Sequence, residues 1–232
     1  MKLKKGVQAL SLLLIMALMT AMFVPAVSAY QADAYGFSTN NPSTIDTTQT
    51  AYYVDNKLAA MGYNPSDHHY NNRALDGYSE LEDTDIFFFS GHSSPGRLQF
   101  GTNSGGSLTF IFADGVVLPR ISEMPSNQLY NLKLAVFLGC NSGEDDANLG
   151  NLVEEARGKN AKCVIGFMES VSSGQADYWA KKFYDRLDNR ETIRNAFDGA
   201  WRDVVGYYGI FNDGGIGDKT IDGDENQIID LY

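Results

Sequence analysis

Three short stretches of this chain, Asp85–Ser90 (DIFFFS), Leu132–Leu138 (LKLAVFL) and Lys162–Phe167 (KCVIGF), are apolar over most of their length without a polar residue at every second position. A strand with one wet face alternates, whereas a strand covered on both faces does not. Around these runs lie segments whose apolar residues recur at helical spacing. Ala51, Val54, Leu58 and Met61 precede Gly62, and a weaker pattern covers Ala74–Leu81. Leu149, Leu152, Val153 and Ala156 precede Gly158. Two longer stripes follow, Ala176-Trp179-Ala180-Phe183-Tyr184-Leu187 and Ile193-Ala196-Phe197-Ala200-Trp201-Val204. Doubly covered strands alternating with helices demand an α/β fold, a mostly parallel central sheet with helices on both faces.

The remaining elements are shorter. An edge strand is expected around Ala34–Ser38, another strand through Asp67–Tyr70, and a hairpin from Arg97 to Val117 around a Gly/Ser turn. A turn or short helix covers Ile121–Tyr130, and a final edge strand is expected at Gln227–Leu231. Asp46-x-x-Gln49 and Ser172-x-x-Gln175 read as capping boxes.

The first 29 residues stand apart. Lys2, Lys4 and Lys5 precede an apolar run from Val7 to Val24, and Val27-Ser28-Ala29 supplies small residues for cleavage. This is the pattern of a secretory signal peptide. With that segment removed, residues 30–232 are expected to form a single exported domain without membrane attachment. The segment holds three lysines and no acid, so the formal charge moves from −11 to −14 on the remaining body. Such a body repels nucleic acid and anionic membranes. With two cysteines in all, there is no disulfide scaffold and the core must hold the fold.

Two of the apolar runs end at reactive residues, the first at His92 in SGHSSPG and the second at Cys140 in GCNSG. In open α/β sheets ligands bind beyond the carboxyl ends of the strands. A serine hydrolase could use Ser93, since Gly91-His92-Ser93-Ser94-Pro95 nearly matches the G-x-S-x-G elbow. Pro95 replaces the second glycine, however, and no histidine follows position 92 to act as the base. A cysteine enzyme needs a thiol, an imidazole and donors for the oxyanion. His92 and Cys140 are 48 residues apart and would meet if their strands were neighbours about 4.8 Å apart.

The motifs FSGHSSPG and FLGCNSGED resemble the paired motifs of the caspase-like cysteine peptidases, a clan that includes caspases, metacaspases, gingipains, clostripain, legumain, separase and CHAT domains. The resemblance spans roughly residues 34–205 and implies a caspase-like three-layer sandwich. It implies catalysis by His92 and Cys140, with the backbone N–H groups of Ser93 and Cys140 holding the oxyanion. The family often has glycine after the histidine, where this chain has Ser93; a serine still offers its N–H. The substrate would be a peptide or protein, cut after a basic residue if Glu169 forms the recognition pocket. Glu144, Asp145 and Asp114 compete for that role.

Cys163 is the one disulfide partner Cys140 could have. It begins a strand where Cys140 ends one, which places the two on the order of 13 Å apart along a parallel sheet. A disulfide needs Cα atoms within about 7 Å, so Cys140 is expected free and Cys163 in the core. Asp67-His68-His69 lacks a third ligand cluster for a metal. Asp222, Asp224 and Asn226 follow the first three ligand spacings of a calcium loop, but Gln227 stands where glycine is needed. No cofactor is expected. The competing class is a caspase-like binding domain without catalysis.

Overall fold

The computed structural model describes residues 30–37, 45–65, 69–70, 73–102 and 107–231. Residues 1–29, where a signal peptide is expected, and the Asp67-His68 pair lie outside the described residues.

Three strands form where the apolar runs predict them: β4 (Ile86–Ser90), β8 (Leu134–Leu138) and β9 (Cys163–Phe167), buried at every position. They join β1 (Gln31–Gly36), β2 (Asn64–Pro65), β3 (His69–Tyr70) and β10 (Lys219–Gly223) in one sheet of order β10-β9-β8-β4-β1-β2, with β3 also paired to β1. All pairings are parallel except that of β10 with β9. A separate three-stranded sheet, β5 (Ser93–Ser94), β6 (Arg97–Thr102) and β7 (Leu108–Phe112), carries the expected hairpin.

Side chains alternate across the main sheet as the strand period requires. Ile86 and Phe88 of β4 face one core with Leu134, Val136, Cys163 and Ile165. That face is covered by α1 (Thr48–Ala60), α4 (Ser173–Asp188) and α5 (Ile193–Tyr208). Trp179 of α4 anchors it, stacked on Phe183 at 4.8 Å and edge-on to Phe167 at 5.4 Å. A buried aromatic of this kind contributes about 2–3 kcal/mol by area. Phe87 and Phe89 turn to the opposite face with Ala135, Phe137 and Val164. There α2 (Ala74–Asp83), α3 (Leu152–Gly158) and the β6–β7 hairpin close the third layer.

Three expectations need correction. The strand predicted at Ala34–Ser38 begins at Gln31 and is not an edge: β4 lies on one side and β2 and β3 on the other. Its small residues make it read as a weak strand, and they are small because α1 lies close against it. A Cβ on Gly36 would sit 2.8 Å from the Thr48 Cα. The last strand is β10, and Gln227–Leu231 belongs to no strand. That stretch instead buries Ile229, accepts the Tyr63 hydroxyl at the Ile229 carbonyl (2.6 Å), and donates the Leu231 N–H to the Met61 carbonyl (3.3 Å). Neither capping box forms. Asp46 accepts the Thr48 N–H at 3.0 Å from the residue before the N-cap, while N-cap residues Thr47 and Ser172 make no side-chain cap bond.

Candidate active site

The register of the two central strands decides the geometry. Ser90 of β4 pairs with Leu138 of β8, and beyond them the Gly91 N–H still donates to the Leu138 carbonyl at 3.2 Å. His92 and Cys140 are each two residues past that pair, so both leave the same edge of the sheet on neighbouring strands. Both line one cleft of about 400 Å³, together with Thr47, Gly91, Val171 and Ala176. His92 is exposed, its ring edge-on to Phe37 at 5.2 Å, and Cys140 is half-buried.

Close backbone approach holds the two tips together. A Cβ on Gly139 would stand 2.2 Å from the Ser93 Oγ and 2.7 Å from the Gly91 carbonyl oxygen, so this position requires glycine. The Ser93 hydroxyl donates to the Cys140 carbonyl at 2.7 Å, tying the residue after the imidazole to the residue that bears the thiol. This commits the Ser93 hydroxyl to a structural bond rather than to the nucleophilic role of a serine hydrolase.

The loop after Cys140 is clamped to the end of β9. Asn141 takes the left-handed conformation (φ 55°), which asparagine tolerates better than most residues. Its N–H donates to the Glu169 carbonyl (3.0 Å), and the Gly143 N–H to the Phe167 carbonyl (2.9 Å). The buried Ser142 hydroxyl donates to Phe137 O (2.5 Å) and accepts from Phe167 N–H (3.1 Å), stitching β8 to β9. On the other side of the cleft, the buried Thr47 hydroxyl donates to Ser90 O (2.5 Å) and accepts from Phe37 N–H (2.8 Å), fixing the start of α1 to the ends of β1 and β4.

The Gln99 N–H donates to the His92 carbonyl at 2.9 Å, making 92/99 the hydrogen-bonded pair of β5–β6. Ser93, one residue on, therefore turns its N–H away from β6. The Cys140 N–H has no backbone acceptor among the described residues. The thiol lies beside Val171, whose N–H donates to Sγ at 3.3 Å, while the Val171 carbonyl lies 3.7 Å away.

Other candidates fall elsewhere. Glu169 is exposed and touches the site only through its backbone carbonyl; its side chain is not among those lining the cleft. Glu144 accepts the Asn141 side-chain amide at 2.8 Å, and Asp114 accepts the Ser122 hydroxyl at 2.6 Å, which holds its carboxyl below the usual range. Cys163 is a free, buried residue at the amino end of β9, its thiol pushed up to about 12 by burial. Asp222 sits inside β10 opposite Val164 and bonds Arg157 at 3.4 Å. Among the described residues, no group of three or more His, Cys, Asp or Glu could hold a metal. Thr47 and Val171 were not foreseen as site residues. They come from distant parts of the chain with no local motif, beyond Thr47 lying inside the expected capping box.

No protein-family model and no curated protein sequence matches this chain. Solved structures do. The Arg-specific cysteine proteinase gingipain R (RgpB) matches with a TM-score of 0.61 at 14% identity, over 85% of this chain and 47% of that one. A complex of the pro- and mature domains of RgpB from Porphyromonas gingivalis matches with 0.59 at 15% identity, over 85% and 48%. The chain thus spans about half the length of the solved chains it matches. Its seven-stranded, mostly parallel sheet between two helical layers has the caspase-like fold of the gingipain cysteine proteinase.

Proposed function

We propose that this protein is an exported cysteine endopeptidase in which Cys140 is the nucleophile and His92 the proton carrier. One observation carries the reading: imidazole and thiol leave the same sheet edge, at equal offset from a register pair, into one cleft. The Cys140 sulfur, its proton passing to His92, attacks the peptide carbonyl. The N–H groups of Ser93 and Cys140 stabilise the oxyanion. His92 gives a proton to the departing amine, the C–N bond breaks, and an acyl-thioester remains on Cys140. Water, deprotonated by His92, then releases the acid and restores the thiol. The Cys140 thiol makes its hydrogen bonds with Val171 and not with His92, which fits an imidazole working across the substrate. The same observation favours a second reading, a binding domain that keeps the scaffold without turnover.

A preference for basic residues before the cut bond fits the net negative charge and the arginine specificity named for gingipain R. Glu169 is the carboxylate we assign to it, reaching the cleft by movement of its exposed side chain. Fluorogenic peptides with Arg, Lys, Asp or Leu at that position test the assignment. Wild-type protein should turn over the basic ones, and Cys140→Ala should lose at least about 10³-fold in rate. Equal rates for wild type and Cys140→Ala would leave the binding-domain reading.

A further inference from the structure

The imidazole is the shared wall of two cavities. On one side lies the cleft with Cys140; on the other, a hollow of about 330 Å³ is lined by His92, Ser93, Ser94, Arg97, Gln99 and Phe110. Resting on the peptidase reading above, the direction of the chemistry tells these sides apart. His92 must reach the leaving nitrogen, so the segment after the cut bond departs past the imidazole, over the β5–β6–β7 sheet.

The cation in that hollow is Arg97. Five of the eight arginines, Arg120, Arg157, Arg186, Arg190 and Arg194, have carboxylate partners, and none of the five lines the hollow. Arg97 has none among the described residues. Its Nε donates to the Ser94 hydroxyl at 2.8 Å, and its guanidinium lies over the Phe110 ring at 5.3 Å. The stem and one edge of the fork are therefore positioned, while neither terminal amino group is hydrogen-bonded to another of the described residues. A planar fork held this way matches a carboxylate. We propose that Arg97 is a specificity residue for a carboxylate on the leaving segment, one to three residues beyond the cut bond, from an acidic side chain or a chain end. Phe110 continues the path into an apolar groove of about 710 Å³ beside Tyr78, Leu108 and Leu118, where the following apolar residue would lie.

The test uses quenched peptides that vary only after the cut bond: Glu, Gln or Lys with an amidated end, and a neutral peptide with a free end. Wild-type kcat/KM should favour Glu over Gln by about fivefold, as for a partly exposed ion pair, and high salt should shrink the ratio. Arg97→Gln should bring the ratio to about one, Arg97→Lys should keep part of it, and Arg97→Glu should favour Lys. A gain for the free-end peptide alone assigns the carboxylate to a chain end. Cleavage without discrimination, or a ratio unmoved in Arg97→Gln, overturns the subsite and leaves the peptidase reading standing. If no peptide is cut, fluorescence-anisotropy binding of the same peptides to Cys140→Ala decides. Arg97-dependent preference for Glu would keep the subsite while the peptidase reading fails, and its absence would sink both.

Discussion

Cys140 and Cys163 are the same residue type on adjacent parallel strands, yet they live in different chemistry. Cys140 lies past the carboxyl end of β8, half-buried, with an N–H aimed at its sulfur. Cys163 opens β9 at the amino end, fully enclosed with Ile165, Trp179 and Phe197 in the same core. Parallel strands put every carboxyl end on one edge of the sheet, where loops are free to carry polar groups. At the amino ends here the chain returns to pack, with the Gln227 side-chain amide donating to the Lys133 carbonyl at 2.8 Å and the Asp224 N–H to the Lys162 carbonyl at 2.8 Å. The difference teaches that position along a strand, more than residue type or neighbouring strand, separates a thiol that lines a cleft from one that only packs.

The contrast breaks most directly under alkylation. Iodoacetamide on the native protein, mapped by mass spectrometry, should label Cys140 about 10³-fold faster than Cys163, which must wait for local opening. Comparable rates would erase the distinction. Gly139→Ala sharpens it from the reactive side. The new methyl would displace Ser93, and with it His92, from Cys140. Peptide turnover should fall about 10²-fold while far-UV circular dichroism stays native, the scale expected of an ångström-sized misplacement.

The smallest effect is on the packed thiol. Cys163→Ala should keep turnover and cost about 1 kcal/mol in denaturant unfolding. It should also flatten the alkaline limb of stability. The folded Cys163 thiol holds its proton up to about 12, against an ordinary value of 9.0. Its contribution is therefore whole below about pH 9 and is lost as pH rises toward 12, because the unfolded chain gives up that proton first. Removing it should lessen the slope in this window by about 1.4 kcal/mol per pH unit. An unchanged slope would mean that Cys163 is not held as a buried thiol.

Legibility followed the same division. The runs at Ile86–Ser90, Leu134–Leu138 and Cys163–Phe167 were readable because strands buried on both faces carry no alternation, and the helices because their apolar stripes are long. The edge reading of β1 failed because its small residues answer to α1, which no local pattern reports. The last strand was misplaced because Ile229 is buried against residues near Tyr63 rather than in the sheet. Thr47, Val171 and Arg97 carry no signature of a site role, because the cleft and hollow they line are assembled from several parts of the chain.

By itself the sequence determined the layers, the unpaired state of its two cysteines, and that His92 and Cys140 each follow a buried strand, since these depend on local periodicity and on how far a strand extends. Only the tertiary structure decided that β4 and β8 are neighbours in equal register, that Gly139 lets their tips touch, and that Arg97 stands beyond the imidazole with no carboxylate partner among the described residues. Strand order and register are set by the packing of whole faces, and that sum is not written in any one segment.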